Sequence, residues 1–493
     1  MELSPVERYK YIICGFGPAG CGVTLAAARQ GEFDNMCKEE GLCILDSSER
    51  WGFGKLGEYL ITANSPAGIC IGPINPETPN FGFQAVQSAT TRSGNIMTPL
   101  FEKMRSGDVY DTLLKTHHEN PSQKGTLEQY GLYCEEIANV MTCALSGKSK
   151  ACIKTRLKKM QLLSDGSFHL TAATDSGHTK TIISEKVCLA LGGKPRFPEW
   201  GYGKDSCYSA DFIQRTEGMN LMRQKAREVM ASGAETLNVM VVGASHSAFS
   251  TTQLLLNALG HPLRVEMYHR GDIRVFCKSE EEAKRMGYSD YTQSQVCQKS
   301  GQVNRFGGIR SPVRELYADV RAGRETRLQF IQVSNEEMTG EPSGVFAESI
   351  KKADVLIVAM GYETNTVPFL SPTGVNLEWA ISPRDGQVQM DNCTAQPFVH
   401  LHGLDKAPKT LPNLFALGLG YGLTVGGAMK IGEEDVRIDG LGGYHSWVGD
   451  LVFCGMRTTE STSAWKFTSL DTALIVVYLA AKWQRRIRHA SKI

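Results

Sequence analysis

The 493-residue chain lacks any imbalance of charge: 53 Lys and Arg face 52 Asp and Glu, for a formal net charge of +1. No broad basic field is present to recruit nucleic acid, and no field of either sign to steer a strongly charged partner, so nucleic-acid binding is disfavoured. It also lacks a Cys-x-x-Cys pair among its 14 cysteines, which argues against a structural zinc site and against a redox dithiol of the commonest spacing. No metal site is expected. Several cysteines stand in strand-like apolar runs, where a reduced thiol packs as a small hydrophobe, and a reducing compartment is expected. Long hydrophobic runs are missing too. The apolar stretch at residues 473–481 is far below the roughly 20 residues a membrane helix needs. It reads as a buried terminal helix, followed by the solvated basic end Lys482, Arg485, Arg486 and Arg488, and no stable membrane insertion is expected. Residues 1–10 are polar and lead straight into an apolar strand, without the apolar core of a secretion signal. The expected location is cytoplasmic.

What is present is enough apolar residue, 42%, to fill two or three domain cores. The first pattern is a strand at residues 10–14, a glycine turn Gly15-Phe16-Gly17-Pro18-Ala19-Gly20, a helix to about Arg29 and a strand at 42–46 ending in Asp46. A pyrophosphate needs backbone N–H groups and a helix N-terminus close to it, and side chains at the turn would block that approach. The apolar run Tyr11-Ile12-Ile13-Cys14 puts the glycines at a strand's carboxyl end, the context that makes the pattern specific. Asp46 would accept from a ribose hydroxyl; it lies 26 residues beyond Gly20 because the polar segment 31–40 lengthens the connection. Prolines and glycines disfavour regular structure at 65–80, a helical apolar period covers 97–115, and short apolar or alternating runs at 160–163, 168–172, 181–183 and 187–190 predict an antiparallel meander.

A second strand-turn-helix follows, with a strand at 237–242, the turn Gly243-Ala244-Ser245-His246-Ser247-Ala248, a helix at 245–259 and a strand at 263–268. Serine replaces the middle glycine. Gly243-x-Ser245-x-Ser247 also resembles the nucleophile elbow of hydrolases, but with Ser247 where that motif has glycine, and the first unit fits that fold poorly. After the strand, His269-Arg270 stands where an acid would favour NAD, so Arg270 is expected to pair with a 2′-phosphate. Ser311-Pro312 is expected to open a short helix, with Pro312 at its first position. Residues 187–193 and 354–362 are both buried-strand runs ending in Ala-x-Gly, and 411–418 is a third such run, bringing Gly418 against the first nucleotide. With a separate unit around Gly243, the first turn is assigned to FAD and the second to the hydride donor.

Together these pieces resemble the flavoproteins with two dinucleotide-binding domains, and within them the flavin-dependent N-hydroxylating and flavin-containing monooxygenases. Asp354 to Tyr362 is similar to the Asp-x-x-x-Leu/Phe-Ala-Thr-Gly-Tyr motif of lysine and ornithine N-hydroxylases, departing at Val358 and Met360. Tyr208-Ser209-Ala210-Asp211-Phe212 stands where those enzymes carry His-Ser-x-x-Tyr, without the histidine. The resemblance implies an α/β fold of two Rossmann-like, three-layer domains, with the NADP domain (236–365) inserted into a discontinuous FAD domain (1–235 and 366–493). It implies an NADPH-dependent monooxygenase acting on a small molecule through a flavin hydroperoxide. The alternatives are a reductase or dehydrogenase of the same fold, or a non-catalytic nucleotide-binding protein. Asn64 resembles the Asn near the flavin in flavin-containing monooxygenases, and Trp51 falls in a glycine-rich stretch expected beside the flavin. Substrate walls are expected from 73–129 and 278–308. The final Ser491-Lys492-Ile493 resembles the Ser-Lys-Leu peroxisomal address, the alternative to a cytoplasmic location.

Overall fold

The computed structural model describes residues 6–77, 96–203, 205–297, 300–305, 307–400, 407–424 and 440–458. The expected terminal helix at 473–481 and the tripeptide 491–493 lie outside the described residues. The chain is mixed α/β, organised on two large sheets. Strands β1 (Glu7–Cys14), β2 (Leu42–Leu45), β3 (Lys150–Cys152), β4 (Thr155–Leu162), β5 (Phe168–Thr174) and β6 (Thr179–Leu189) build the first. The apolar run expected at residues 10–14 becomes the interior of β1, parallel to β2 on one side and to β6 on the other. A strand buried on both faces must be apolar throughout, and Tyr11 to Cys14 are all buried. Each such side chain contributes on the order of 1.5–3 kcal/mol through removal from water.

The meander is present as β4-β5-β6, antiparallel, but β6 is one continuous strand where two runs were expected. Glu185 between the runs faces outward, while Ser184 and Lys186 are buried and satisfied: Ser184 Oγ donates to the Lys186 carbonyl at 2.9 Å, and Lys186 Nζ donates to the Met456 carbonyl. That continuity lets β6 change partners along its length, pairing residues 179–184 with β5 and Val187 to Leu189 with the return strand Leu414–Ala416. The first sheet therefore takes strands from both ends of the chain.

The ends of β6 and of a later strand lead to a small ribbon. Its strand β7 (Gly193–Pro195) leaves the first sheet; then β8 (Cys207–Ser209), β9 (Leu237–Val242), β10 (Leu263–His269), β11 (Leu328–Gln332) and β12 (Val355–Val358) form a five-stranded sheet in the order β11-β10-β9-β12-β8. All its pairings are parallel. Strand β13 (Tyr362–Thr364) returns antiparallel to β7, so the outgoing and incoming segments are paired with each other. Strand β8 joins the second sheet ahead of residue 236.

Local differences from the sequence reading have local causes. Within 65–80, Ala67–Ile71 forms a short helix entered at Pro66. The helical period at 97–115 splits into Pro99–Arg105 and Asp108–Glu119 at Gly107, where a side chain would collide with the Glu136 carboxylate. Pro312 is the N-cap of Val313–Arg321, not its first helical residue. Helix Pro18–Arg29 starts with a proline at its first turn and buries Gly20 to Ala28. Its small residues let the helix Gly449–Thr458 approach at backbone distance, since a Cβ on Gly449 would overlap the Gly22 carbonyl. Among the described residues, no helix is long and apolar enough to cross a membrane, and no group of His, Cys, Asp and Glu is arranged to hold a metal ion.

Candidate functional site

A cavity of about 1100 Å³ opens at the carboxyl ends of β1, β2 and β6 and is walled by Gly15, Gly17, Pro18 and Ala19 of the first turn. Its three glycines have different physical reasons. Gly15 has φ +96°, and a Cβ there would overlap the Ala190 carbonyl; the turn is pinned by Gly15 N donating to the Leu45 carbonyl at 2.7 Å and Ala190 N to the Cys14 carbonyl at 2.7 Å. A Cβ on Gly20 would strike the Gly15 carbonyl, so this residue sets the closeness of helix to strand. Gly17 differs. A Cβ there would find only the Gly54 Cα, at 3.8 Å, so protein packing does not demand glycine. The space it leaves belongs to the cavity, at the N-cap of a 12-residue helix, where backbone N–H groups favour an anion.

Asp46 is buried beside the turn and lines the cavity. One carboxylate oxygen accepts from Phe16 N at 2.5 Å; the other accepts from the Ser48 amide at 2.7 Å and the Ser48 hydroxyl at 2.6 Å. Asp46 thus holds the turn closed, and the oxygen that accepts from Phe16 keeps a lone pair for a further donor. Gly418, with φ +111°, brings the return strand to the same wall, where its Cβ would sit 3.1 Å from Ala19 Cβ. Trp51 is not brought to the wall. It packs edge-on against Phe16, ring centroids 6.1 Å apart, while its neighbours Arg50 and Phe53 line the cavity. Asn64 is exposed on a loop bridged to residue 126 and is also absent from the wall.

Sequence reasoning missed one polar cluster in the cavity wall. Tyr59 and Tyr362 both donate to Asp211 Oδ1, the second at 3.3 Å, and Asp211 Oδ2 accepts from Arg215. Arg215 also pairs with Glu58 at 3.1 Å. Burial, reinforced by the Asp211 charge, pushes both phenols far above their ordinary range, so they stay protonated donors. The cluster joins the segment after β2, the short helix after β8 and the returning strand β13. Tyr362 and Asp211 fall in quoted motif stretches, but no spacing links residues 59, 211 and 362.

The second turn repeats the first. Gly243 has φ +110°, its Cβ would overlap the Ala359 carbonyl, and Gly243 N donates to the Tyr268 carbonyl at 2.9 Å while Ala359 N donates to the Val242 carbonyl at 2.8 Å. Ser245 is the N-cap of helix His246–Ala258, with no capping bond from its hydroxyl. The Ser247 carbonyl accepts from Gln214 at 3.1 Å. Arg270 is exposed just past β10, at the strand edge where the Gly243 turn sits, and donates to Asn335 at 2.7 Å.

Two parallel-rich sheets, each with a glycine turn at the carboxyl edge of a central strand, define a protein of the Rossmann-type dinucleotide-binding class. No protein-family model matches the chain. Over 483 residues it is 26% identical to CMP-5′-(3-aminopropyl)phosphonate hydroxylase of Streptomyces rubellomurinus, spanning 93% of this chain and 99% of that protein. Among solved structures, ornithine hydroxylase of Pseudomonas aeruginosa aligns with a TM-score of 0.53 at 11% identity, over 91% of this chain and 98% of that one. The FAD-bound cadaverine monooxygenase of desferrioxamine biosynthesis from Erwinia amylovora gives 0.52 at 12% identity, over 93% and 96%. The chain has the fold of these two enzymes and resembles a hydroxylase along nearly its whole length.

Proposed function

We propose that this chain is an FAD-dependent, NADPH-using monooxygenase that hydroxylates the amine nitrogen of a small molecule. The observation that carries it is the pair of glycine turns, one opening on the 1100 Å³ cavity and the other on a separate parallel sheet, in a chain similar end to end to a hydroxylase. The first turn fits FAD: Gly17 leaves room that protein packing does not need, Gly15 to Ala19 present a helix N-terminus to a pyrophosphate, and Asp46 faces a ribose. Gly418 completes that wall. In the second unit, Gly243, Ser245 and Ser247 hold the nicotinamide dinucleotide, with Arg270 toward its 2′-phosphate. Residues 236–365, together with β8 (Cys207–Ser209) of the same sheet, act as the NADP domain, inserted between the two parts of the FAD domain expected at 1–235 and 366–493.

FAD, when bound, supplies a hydride acceptor and a site for oxygen activation. The chain's own residues bind, orient and exclude water. Tyr59 and Tyr362 keep their protons and hold Asp211 at the cavity wall as a fixed polar group. The name of the full-length relative points to an amine on a phosphonate-bearing nucleotide as the substrate class.

The test is NADPH oxidation by the purified yellow protein under ¹⁸O₂ with amine substrates, aminoalkylphosphonate nucleotides included. One labelled oxygen in a hydroxylamine product is expected. Steady NADPH turnover with a quinone or dye and no label in any product would replace this reading with a reductase.

A further inference from the structure

The last described segment of the chain, residues 440–458, reaches back to the first glycine turn. Helix Leu441–Gly443 runs into a wider π turn at Tyr444–Val448 and then into helix Gly449–Thr458, and the run is broken at Ser446, with φ −115° and ψ −106°. Leu441 and Tyr444 line the same cavity as Gly17, Pro18 and Ala19. The broken stretch lies directly on helix Pro18–Arg29: a Cβ on Gly22 would overlap the Tyr444 carbonyl. Arg29 anchors it from that helix, donating to the His445 carbonyl at 2.7 Å and the Ser446 carbonyl at 3.4 Å, and pairing with Asp450 at 2.8 Å.

His445, beside the break, is fully buried, and its Nε2 lies 2.8 Å from the Pro18 carbonyl. A carbonyl can only accept, so Nε2 carries the proton. Nδ1 is buried without a partner among the described residues, and a second proton there would be a buried donor with no acceptor. Burial pushes the imidazole down to about 4 in spite of the Pro18 bond, and the Arg29 charge acts in the same direction as burial. At pH 7 the ring is therefore neutral, with a single N–H aimed at Pro18.

The Pro18 carbonyl belongs to the peptide whose N–H is that of Ala19. The first four N–H groups of a helix have no acceptor inside it. Pro18 has no N–H, and Cys21 N already donates to the Gly17 carbonyl at 3.1 Å, so Ala19 and Gly20 are the donors this helix start offers an anion. A hydrogen bond received by a peptide carbonyl polarises that peptide and strengthens its N–H as a donor. His445 is absent from the cavity wall, so it acts through this peptide and not by contact. We propose that His445 is a positioning residue of the flavin site: its Nε2–H fixes and polarises the Pro18–Ala19 peptide, and so sets how strongly the Ala19 N–H holds the FAD pyrophosphate. This rests on the assignment of the first turn to FAD. A residue 427 positions further along the chain thereby completes a turn that its own glycines only shape.

The test is FAD titration of the flavin-stripped full-length protein, followed by flavin fluorescence, with melting curves of the same flavin-free samples. His445→Met fills the space of the ring without a donor and is expected to weaken FAD binding about tenfold, the contribution of one hydrogen bond. His445→Gln places an amide N–H where Nε2 stands and should stay within about threefold of the wild type, while both variants shift the flavin-free melting midpoint alike. That rescue separates a donor from packing. Equal weakening by Met and Gln, or wild-type affinity in His445→Met, overturns the proposal. If His445→Met does not fold, the ¹⁵N signals of histidine-labelled wild type decide. A neutral ring protonated at Nε2, with an Nε2 signal that moves when FAD binds, is expected; protonation at Nδ1, or a signal that FAD leaves unmoved, overturns the role. A wild type that takes up no FAD overturns the flavin reading and this role with it, whereas FAD bound equally by wild type and both variants overturns the role of His445 alone.

Discussion

The two glycine turns are built alike and finished differently. In both, the first glycine takes a left-handed φ, donates its N–H to the neighbouring strand, and lies against the carbonyl of the alanine that follows a third strand: Ala190 for Gly15, Ala359 for Gly243. From there they diverge. Gly17 is matched by Ser245, and Gly20, whose Cβ would strike the Gly15 carbonyl, by the buried Ala248. The second helix therefore stands far enough from its turn to admit a methyl group. Asp46 braces the first turn through Phe16; the residue in its place is His269, which bonds to the Gly271 carbonyl at 2.8 Å. The shared part is dictated by backbone sterics; of the parts that differ, Gly17 and Asp46 line the cavity, while Gly20 and Ala248 set how closely each helix packs on its turn.

The largest effects should come from the shared glycine. Gly15→Ala combines a left-handed backbone strain of about 1–3 kcal/mol with a collision of about 1–3 kcal/mol, and is expected to lower the thermal midpoint and lose the flavin. Gly243→Ala should meet the same obstacle but keep the yellow colour while NADPH oxidation is lost. If both variants lost flavin equally, the two turns would not serve separate nucleotides.

A smaller effect separates the middle positions. Gly17→Ala meets no protein atom closer than 3.8 Å, so its fold should change by less than about 0.5 kcal/mol, while FAD affinity falls by about ten- to a hundredfold, about 1.4–2.7 kcal/mol. Flavin titration against a melting curve reads both. A large melting change with normal flavin affinity would make Gly17 a packing residue.

The smallest concerns cofactor choice. Arg270→Ala should reduce the preference for NADPH over NADH about tenfold, about 1.4 kcal/mol, by removing one charge-assisted contact. It should leave the melting temperature unchanged, because Arg270 is exposed and among the described residues its side chain bonds only to Asn335. Ratios of kcat/KM for the two donors decide it; an unchanged ratio moves 2′-phosphate recognition elsewhere.

Much of the framework was legible beforehand. The strands at 10–14 and 42–46 are legible because a parallel strand buried on both faces is continuously apolar, those at 237–242 and 263–268 because their apolar residues recur around the exposed Asn238 and Arg264, and the turns because a left-handed strand-to-helix bend requires glycine. Strand β6 was read as two pieces because Ser184 and Lys186 look like an interruption; their buried hydrogen bonds are made to partners no local window contains. Trp51 and Asn64 were placed by likeness of position. The folded chain turns Trp51 onto Phe16 and leaves Asn64 exposed, since the loops after a strand are not fixed by its periodicity.

By itself the sequence determined two nucleotide-type units, their order and the glycines that start each, because those rest on short-range sterics and on burial repeated every residue. Only the tertiary structure decided that β7 and β13 pair as the crossing between the sheets, and that Asp211 is shared by Tyr59 and Tyr362. Each of these contacts joins residues tens to hundreds of positions apart. Their energy comes from desolvated charge and hydrogen bonding, which depend on distance in space and leave no period in the chain.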